Sequence, residues 1–331
     1  MTALRGQQVL VTGAGGFLGG ALATRLLAEG VRVRGLVRSE ARGAEIAARG
    51  TELCVGDLND AEALQRAVAG CTVVFNVAAA TGGPAAEQYR VNVTTVGQLV
   101  EAACAAEVRR IVHVSSIAVY GYDRPGIMHE GLPPRPGLEH YAQSKALGEQ
   151  VLFRRAGELG VEATVIRPGM IYGPGSHFWT GRFFAVMRRR PAPLPGDGTA
   201  YCPVIYVEDV VDLLLVAAEH PAAVGCVFNA VSDEPVTWRQ FLGAYAAMAG
   251  HQWLIPVPAS LLLTGAAILE PWLRLRGEPQ PIRQMVAGLV ARRRGYSMNR
   301  AADRLGWRPR VSLVEGMRRA EAWLRETGQL A

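Results

Sequence analysis

The sequence predicts an α/β protein built on a doubly wound parallel sheet. From residue 7 to about 167, short runs rich in β-branched residues alternate with amphipathic stretches of helical period. The strand candidates in this part of the chain are QVLVT, VRVRGLV, ELCVG, TVVFNV, RIVHVSS and EATVIRP. Strands that alternate with helices in this way run in parallel, and the helices cover both faces of the sheet. A glycine-rich turn after the first strand is a second feature typical of this fold class.

The composition changes beyond residue 168, which indicates a smaller C-terminal lobe. Residues 168–198 are rich in Gly and Pro, two later strand-like segments follow, and the remainder is mostly helical in pattern. In doubly wound folds ligands bind at the carboxyl edge of the sheet, where such a lobe can close over them. We therefore expect a core over 1–168 and a mainly substrate-binding lobe over 169–331, with strands returning to the core near 203–230.

The charge of the chain favours anionic partners, but its pattern does not predict nucleic-acid binding. The net charge is +6 and the sequence pI is about 9.3, which suits phosphate-bearing ligands. The two arginine runs, at 188–190 and 292–294, lack interleaved aromatic residues and belong to no recognisable nucleic-acid-binding module. Solvated surface is the simpler interpretation of both runs.

Cysteine and histidine usage predicts neither disulfides nor a metal site. The five cysteines show no paired spacing, and the six histidines form no HExxH pattern. Small buried thiols are typical of a reducing compartment. The first residues lead directly into an apolar strand pattern without the features of a signal peptide, so we expect a cytoplasmic protein.

The glycine-rich turn predicts a phosphate-binding loop. Strand one ends in TGAGGFLGG at 12–20, and a helical pattern follows. Such a turn lets backbone N–H groups approach a pyrophosphate, and the positive end of the helix dipole favours its charge. Gly13, Gly16 and Gly19 give a GxxGxxG spacing, which differs from the common GxGxxG fingerprint. An ordinary structural loop is the alternative.

The end of the second strand favours NADP(H) over NAD(H), although NAD(H) could also bind. An acidic residue at this position would bind the ribose hydroxyls of NAD, whereas Arg38 could bind a 2′-phosphate. After the third strand, Asp57 could accept a hydrogen bond from the adenine amino group. Asp57 or its neighbours Asn59 and Asp60 could equally cap the next helix.

The only lysine of the chain lies where chemistry is expected. The sequence has 35 Lys plus Arg, and only residue 145, in HYAQSKALGEQ, is lysine. Tyr141 and Lys145 are four residues apart on a predicted helix, so their side chains share a face. A nearby ammonium would lower the pKa of the phenol, which is otherwise a poor proton donor at neutral pH. Ser115 and Ser116 follow the fifth strand, at the same edge as the glycine loop.

These motifs together resemble the extended short-chain dehydrogenase/reductases, which have a Rossmann core and belong to the epimerase/dehydratase superfamily. The resemblance covers nearly the whole chain and rests on TGAGGFLG, GDLND, NVAAAT, VSSIAVYG, YAQSK, RPGMIYGPG, IYVEDVV and LGWRPRVSLVEG. The chain departs from the family pattern at Asn76, where histidine is commoner, and at Thr95, where glycine is usual.

The resemblance implies a role for each site residue. Tyr141 is the general acid/base, and Lys145 holds the nicotinamide ribose and lowers the pKa of the phenol. Ser116, rather than Ser115, binds the reacting oxygen. Asn92 is a structural and proton-relay residue, with a helix polar residue as the alternative. The cofactor-binding residues that the resemblance implies are Gly13, Gly16, Phe17, Leu18, Gly19, Arg38, Asp57, Leu58, Ala78, Ala79, Tyr141, Lys145 and Pro168.

Two positions argue against a nucleotide-sugar substrate. The nucleotide-sugar enzymes of the family commonly carry an asparagine where this chain has Gly169, and an arginine where it has Cys202. The C-terminal third instead resembles the branch of 3β-hydroxysteroid and sterol-carboxylate dehydrogenases. This resemblance implies redox chemistry at a hydrophobic secondary alcohol or ketone. A nucleotide-sugar epimerase or dehydratase is one alternative, with Arg182 or the 188–190 run as phosphate partners, and a non-catalytic NADP-binding regulator is another.

The apolar segment 256–269 could be explained in several ways. PVPASLLLTGAAIL is too short to span a bilayer and contains prolines. It could line a lipophilic pocket, pack in the core, form the interface of a homodimer, or contact a membrane surface peripherally.

Overall fold

The structure of the chain, a computed structural model, describes residues 2–122, 124–275, 282–290 and 294–330. Two residues of the predicted arginine run 292–294 therefore lie outside the described residues. The strands, in chain order, are β1 Gln8–Thr12, β2 Arg32–Val37, β3 Glu52–Val55, β4 Val73–Asn76, β5 Arg110–Val114, β6 Gly126–Met128, β7 Glu162–Pro168, β8 Met170–Tyr172, β9 Ala192–Pro195, β10 Val204–Tyr206, β11 Val227–Ala230, β12 Leu254–Val257 and β13 Arg294–Tyr296.

Thirteen α-helices lie within the same described ranges. They are α1 Phe17–Ala28, α2 Glu40–Ala48, α3 Ala61–Val68, α4 Ala85–Tyr89, α5 Thr95–Ala105, α6 His140–Leu159, α7 Phe183–Met187, α8 Val207–Glu219, α9 Trp238–Met248, α10 Ala259–Leu275, α11 Ile282–Val290, α12 Asn299–Leu305 and α13 Leu313–Glu326. Short 3₁₀ turns occur at Ile117–Tyr120 and Pro221–Ala223, and π-helical turns at Arg90–Thr94 and His177–Arg182. None of the helices in the described part of the chain is long and apolar enough to span a bilayer.

The predicted doubly wound parallel sheet is confirmed. Seven strands pair in the order β11-β7-β5-β4-β1-β2-β3, and every neighbouring pair is parallel. The chain leaves β1 in one direction to form β2 and β3, and returns on the other side of β1 to form β4. This reversal opens a crevice between β1 and β4 at their carboxyl ends, where ligands bind in such sheets.

The sheet is buried on both faces, which explains why the sequences of its strands are almost continuously apolar. Along β1, Val9 and Val11 point into one hydrophobic cluster with α1 and α8, whereas Leu10 points into the other with α3, α5 and α6. Side chains of a strand alternate between the two faces, so each strand contributes to both clusters.

The C-terminal lobe is joined to the core by strands and a helix. Within the segment 203–230, β11 pairs with β7 at the edge of the main sheet, and α8 packs on the sheet and against α1. β10 does not enter this sheet; it pairs with β8 instead. Two further parallel pairs, β9 with β12 and β6 with β13, build the lobe. The domain boundary at 168 stays a prediction.

Helix α6 packs unusually close to the π-helical turn because it has glycine at the contact. A β-carbon at Gly148 would come within 2.2 Å of the Asn92 carbonyl oxygen, which is far inside van der Waals contact. Gly157, later on the same helix, has nothing within 4 Å of the corresponding position. Gly148 therefore sets the distance between α6 and the segment that carries Asn92.

We predict opposite effects of alanine at these two glycines. Gly148→Ala should lower the free energy of unfolding by about 1–3 kcal/mol, because the helix must move away from the Asn92 backbone. Gly157→Ala is the matched control and should raise it by about 0.5–1 kcal/mol, since alanine favours an open helix interior. Urea denaturation of both variants checks this, and equal effects of the two would contradict the packing described.

Candidate active site

A cleft of about 800 Å³ opens at the carboxyl edge of the sheet, at the crevice beside β1. Most of the residues predicted from the sequence line it. These are Gly13, Gly16, Phe17, Leu18, Gly19, Arg38, Asp57, Leu58, Ala78, Ala79, Ser115, Ser116, Tyr141 and Pro168. Lys145 and Asn92 are not among the lining residues and lie behind the cleft wall.

The glycine loop leaves no room for side chains. Gly13 has a φ of +66°, and a β-carbon there would come within 2.9 Å of the Ala78 backbone. A β-carbon at Gly19 would lie 2.2 Å from the Gly13 carbonyl oxygen. Gly16 caps α1 without a side-chain hydrogen bond, so the first amides of the helix stay open to a ligand.

Two arginines line the end of the cleft beside β2. Arg38 follows β2 as predicted, and Arg42, which the sequence reasoning missed, lies four residues later in the first turn of α2. The available signal was a second arginine soon after the end of β2. Both side chains are exposed, and neither forms an ion pair or hydrogen bond with the described residues. Across the cleft, Asp57 accepts hydrogen bonds from Asn59, while Asp60 is the residue that caps α3.

The hydroxyl groups of Ser116 and Tyr141 meet in the cleft. Ser116 follows β5, and its Oγ also accepts a hydrogen bond from the Ala118 amide at 3.1 Å. Burial raises the pKa of Tyr141 to about 12, a side-chain hydrogen bond with Ser116 opposes the rise, and the charge of Glu139 adds to it. Lys145 is not among the groups that shift the pKa of this phenol, so the expected lowering by its ammonium is not seen in the structure.

Lys145 lies one turn after Tyr141 on α6, as predicted, and its ammonium is buried. Its Nζ donates to the Val114 carbonyl oxygen at 2.6 Å, and the residue is 1% exposed. Burial lowers its pKa to about 8, against a raising influence of Glu149. Glu149 is itself buried and accepts two hydrogen bonds from Arg167 of β7, at 2.8 and 2.5 Å.

Asn92 connects the cleft wall to α6. Its Oδ1 accepts from the Ala80 amide at 3.0 Å, and its Nδ2 donates to the Ala80 carbonyl and to Ser144 Oγ. The side chain is buried in the π-helical turn, and these contacts also suit the alternative of a structural polar residue of a helix. The structural part of the expected role fits these contacts, and the proton relay stays a prediction.

A buried polar network behind the loop was not found from the sequence. Thr12 Oγ1 donates to Asn76 Oδ1 at 2.8 Å and accepts from the amides of Val77 and Ala78. Asn76 in turn contacts His113 Nδ1 at 2.9 Å. Burial and the charge of Lys145 hold the pKa of His113 well below its usual value. Asn76, where histidine is commoner in the family, is therefore a hydrogen-bond partner of the core residue His113.

Gly169 and Cys202 do not provide a side chain in the cleft that could bind a diphosphate. Gly169 lines the cleft, but a β-carbon there would lie 2.1 Å from the Pro203 carbonyl oxygen. Cys202 is fully buried and does not line the cleft. Trp179 and Ile171 form the wall beside Gly169. Among the described residues, no group of His, Cys, Asp or Glu side chains is arranged to hold a metal ion.

Comparison with known proteins gives matches over most of the chain. The NAD dependent epimerase/dehydratase family matches residues 9–230. A 2-alkyl-3-oxoalkanoate reductase from Shewanella oneidensis is 30% identical, over 95% of this chain and 85% of its own. The 3beta-hydroxysteroid-dehydrogenase/decarboxylase isoform 1 of Arabidopsis thaliana is 28% identical, over 80% of this chain and 64% of its own.

Solved structures of the same fold include one with both a cofactor and a nucleotide-sugar. MoeE5 in complex with UDP-glucose and NAD is 27% identical, covers 97% of this chain and 99% of its own, and has a TM-score of 0.76. The cleft of this chain fits such a cofactor, since the open amides of α1 suit a pyrophosphate and the glycine loop allows its close approach.

We predict a pH-dependent contribution of Lys145 to stability. Its folded-state pKa of about 8 lies below the usual 10.5, so between these values the unfolded chain binds more protons and stability rises with pH. The wild type should therefore gain about 1–3 kcal/mol over Lys145→Met between pH 8 and pH 10.5. Guanidinium denaturation of both proteins across this window measures the gain. A constant difference would show that the ammonium is not desolvated.

Proposed function

The chain belongs to the NAD dependent epimerase/dehydratase family, and from this premise we propose that it is an NADP(H)-dependent oxidoreductase acting on a lipophilic secondary alcohol or ketone. The observation that carries the substrate class is the closed position at Gly169, with Pro203 where a phosphate-binding side chain would need to be. A diphosphate buried without cationic or amide partners would be strongly disfavoured. Cys202, buried away from the cleft, offers no alternative.

The residues of the chain provide the proton chemistry. A nicotinamide cofactor bound in the cleft would supply or accept the hydride. Ser116 and Tyr141 would both hydrogen-bond the reacting oxygen, which fixes its position. The Tyr141 phenol would donate its proton to the alkoxide that develops when a ketone is reduced, and its phenolate would accept a proton in the reverse reaction.

The relatives support a lipophilic substrate. The names of two of them refer to an alkyl-substituted oxoalkanoate and to a hydroxysteroid. Both are ketone or alcohol substrates with apolar bodies, and Trp179 and Ile171 offer an apolar wall at the substrate end of this cleft. A cytoplasmic location and a homodimer stay predictions.

Arg38 and Arg42 support the preference for NADP(H). Both are cationic, exposed, and free of competing carboxylates among the described residues, and both line the end of the cleft beside β2. A 2′-phosphate would find charge-assisted hydrogen-bond donors there, whereas the hydroxyls of NAD would find no acidic acceptor at the end of β2.

A turnover screen tests the proposed reaction. The purified protein, with NADPH, is offered 2-alkyl-3-oxoalkanoates, ketosteroids and UDP-glucose, and NADPH oxidation is followed. Tyr141→Phe, Lys145→Arg and Ser116→Ala should each lower kcat roughly 100-fold or more. Ser115→Ala is the matched control and should keep near wild-type kcat, because Ser115 Oγ has no hydrogen-bond partner in the part of the chain that the structure describes.

Calorimetry with UDP on the NADP-loaded protein provides the opposing test. Micromolar binding of UDP, or turnover of UDP-glucose in place of the ketones, would overturn the lipophilic substrate and establish the nucleotide-sugar alternative. Full activity of Tyr141→Phe would remove the chain from this mechanism.

The cofactor preference has its own prediction. Arg38→Ala should weaken NADPH binding at least about tenfold, which is about 1.4 kcal/mol, and change NADH binding little. Fluorescence titration of both cofactors measures this, with Arg42→Ala titrated in parallel. Equal losses for NADPH and NADH, or a selective loss only in Arg42→Ala, would contradict the assignment to Arg38.

A further inference from the structure

Helix α10 exposes an apolar face. Ala266 and Glu270 point inwards, whereas Leu261 and Ile268, seven residues apart and hence on one stripe, are 62% and 72% exposed. Leu269 adds to the same exposed stripe. A helix at the surface of a globular protein normally has a polar outer face, so this one indicates a further partner.

The exposed stripe lies in a part of the chain that is rich in exposed apolar side chains. Thirteen large hydrophobic side chains are exposed in the described residues, and six of them lie between residues 253 and 272. Exposed apolar residues are usually scattered singly, and a cluster marks an interaction site. The apolar surface is defined here by Trp253, Ile255, Leu261, Ile268, Leu269 and Trp272.

Positive charge lies at the edge of this apolar surface. The exposed arginines 188–190 lead into β9, whose Ala192 amide bonds the Trp253 carbonyl at 3.0 Å. Arg190 reaches back to the Ala249 carbonyl, also at 3.0 Å. The only carboxylate within residues 253–273, Glu270, is buried. Apolar side chains with tryptophan among them and arginines beside them match the interface of an anionic bilayer.

The apolar surface is connected to the catalytic edge. Helix α11 packs against α10, and its Gly288 lies so close to Tyr122 that a β-carbon would come within 2.9 Å of the ring. The Tyr122 hydroxyl donates to Glu139 at 2.6 Å, two residues before Tyr141. A molecule that enters beside this helix pair would therefore arrive near the reacting hydroxyls.

We propose that the apolar surface docks on an anionic lipid bilayer, from which a lipophilic substrate enters the cleft. The second part rests on the proposed function; the docking itself does not. A second copy of the chain is the competing occupant. A two-fold interface brings the same patch of both copies together, which would place the two copies of the exposed run 188–190 near each other without an exposed carboxylate from residues 253–273 to neutralise them.

Vesicle co-sedimentation tests the docking without any turnover. The full chain is mixed with vesicles of phosphatidylcholine alone or with added phosphatidylglycerol, and the bound fraction should rise with the anionic lipid. The double variant Leu261→Ser/Ile268→Ser should bind at least about tenfold more weakly, equivalent to about 1.4 kcal/mol. Arg188→Glu/Arg189→Glu should remove the dependence on anionic lipid.

Two control variants keep these comparisons specific. Val314→Ser removes a side chain that is 81% exposed on α13, and Arg154→Glu reverses an exposed charge on α6. Both should bind vesicles like the wild type. Wild-type protein that stays in the supernatant with all vesicles would overturn the docking. The docking would also be overturned if the wild type binds no vesicles and sedimentation velocity shows that it is a dimer, whereas the Leu261→Ser/Ile268→Ser variant is a monomer. Turnover of a water-soluble ketone, measured separately, reports on the proposed function alone.

Discussion

The site is organised around one buried positive charge that has to be compensated. The ammonium of Lys145 is removed from water and compensated by the Val114 carbonyl and by Glu149, which Arg167 in turn holds with two hydrogen bonds. An uncompensated charge in this environment would cost several kcal/mol. These contacts connect α6 with β5 and β7, so the charge and its partners fix the helix that carries Tyr141 against the strand that leads to Ser116.

This arrangement extends further into the fold. The guanidinium of Arg167 lies 4.9 Å from the centre of the Tyr120 ring, and the Tyr120 hydroxyl donates to Asn229 of β11 at 2.8 Å. The strand that returns from the C-terminal part of the chain is therefore joined to the catalytic helix through polar contacts as well as packing. Buried networks of this kind favour one arrangement, since any other leaves a charge or hydrogen bond unsatisfied.

Local patterns were sufficient to predict the sheet, the glycine loop and the pairing of Tyr141 with Lys145 on one helix, because each depends on residues close in sequence. Properties that depend on desolvation and on contacts between distant segments were not accessible in this way. The pKa of Tyr141 rises because the surrounding fold desolvates it, and the partner of Asn76 is a histidine 37 residues away. Position 169 requires glycine because the carbonyl oxygen of Pro203, on a different segment, leaves no room for a β-carbon. The segment 256–269 had several interpretations because its hydrophobicity does not reveal which face of the helix packs against the rest of the protein.

The burial of the only lysine also gives this protein an intrinsic chemical probe. Apart from Lys145, the side chains that are cationic at neutral pH are arginine guanidinium groups, which do not react with amine-acylating reagents under mild conditions. Lys145 is 1% exposed in the closed fold, so its acylation requires α6 to separate from β5. The rate at which its side chain is acylated therefore measures how often this part of the molecule opens, at one atom and without any engineered label.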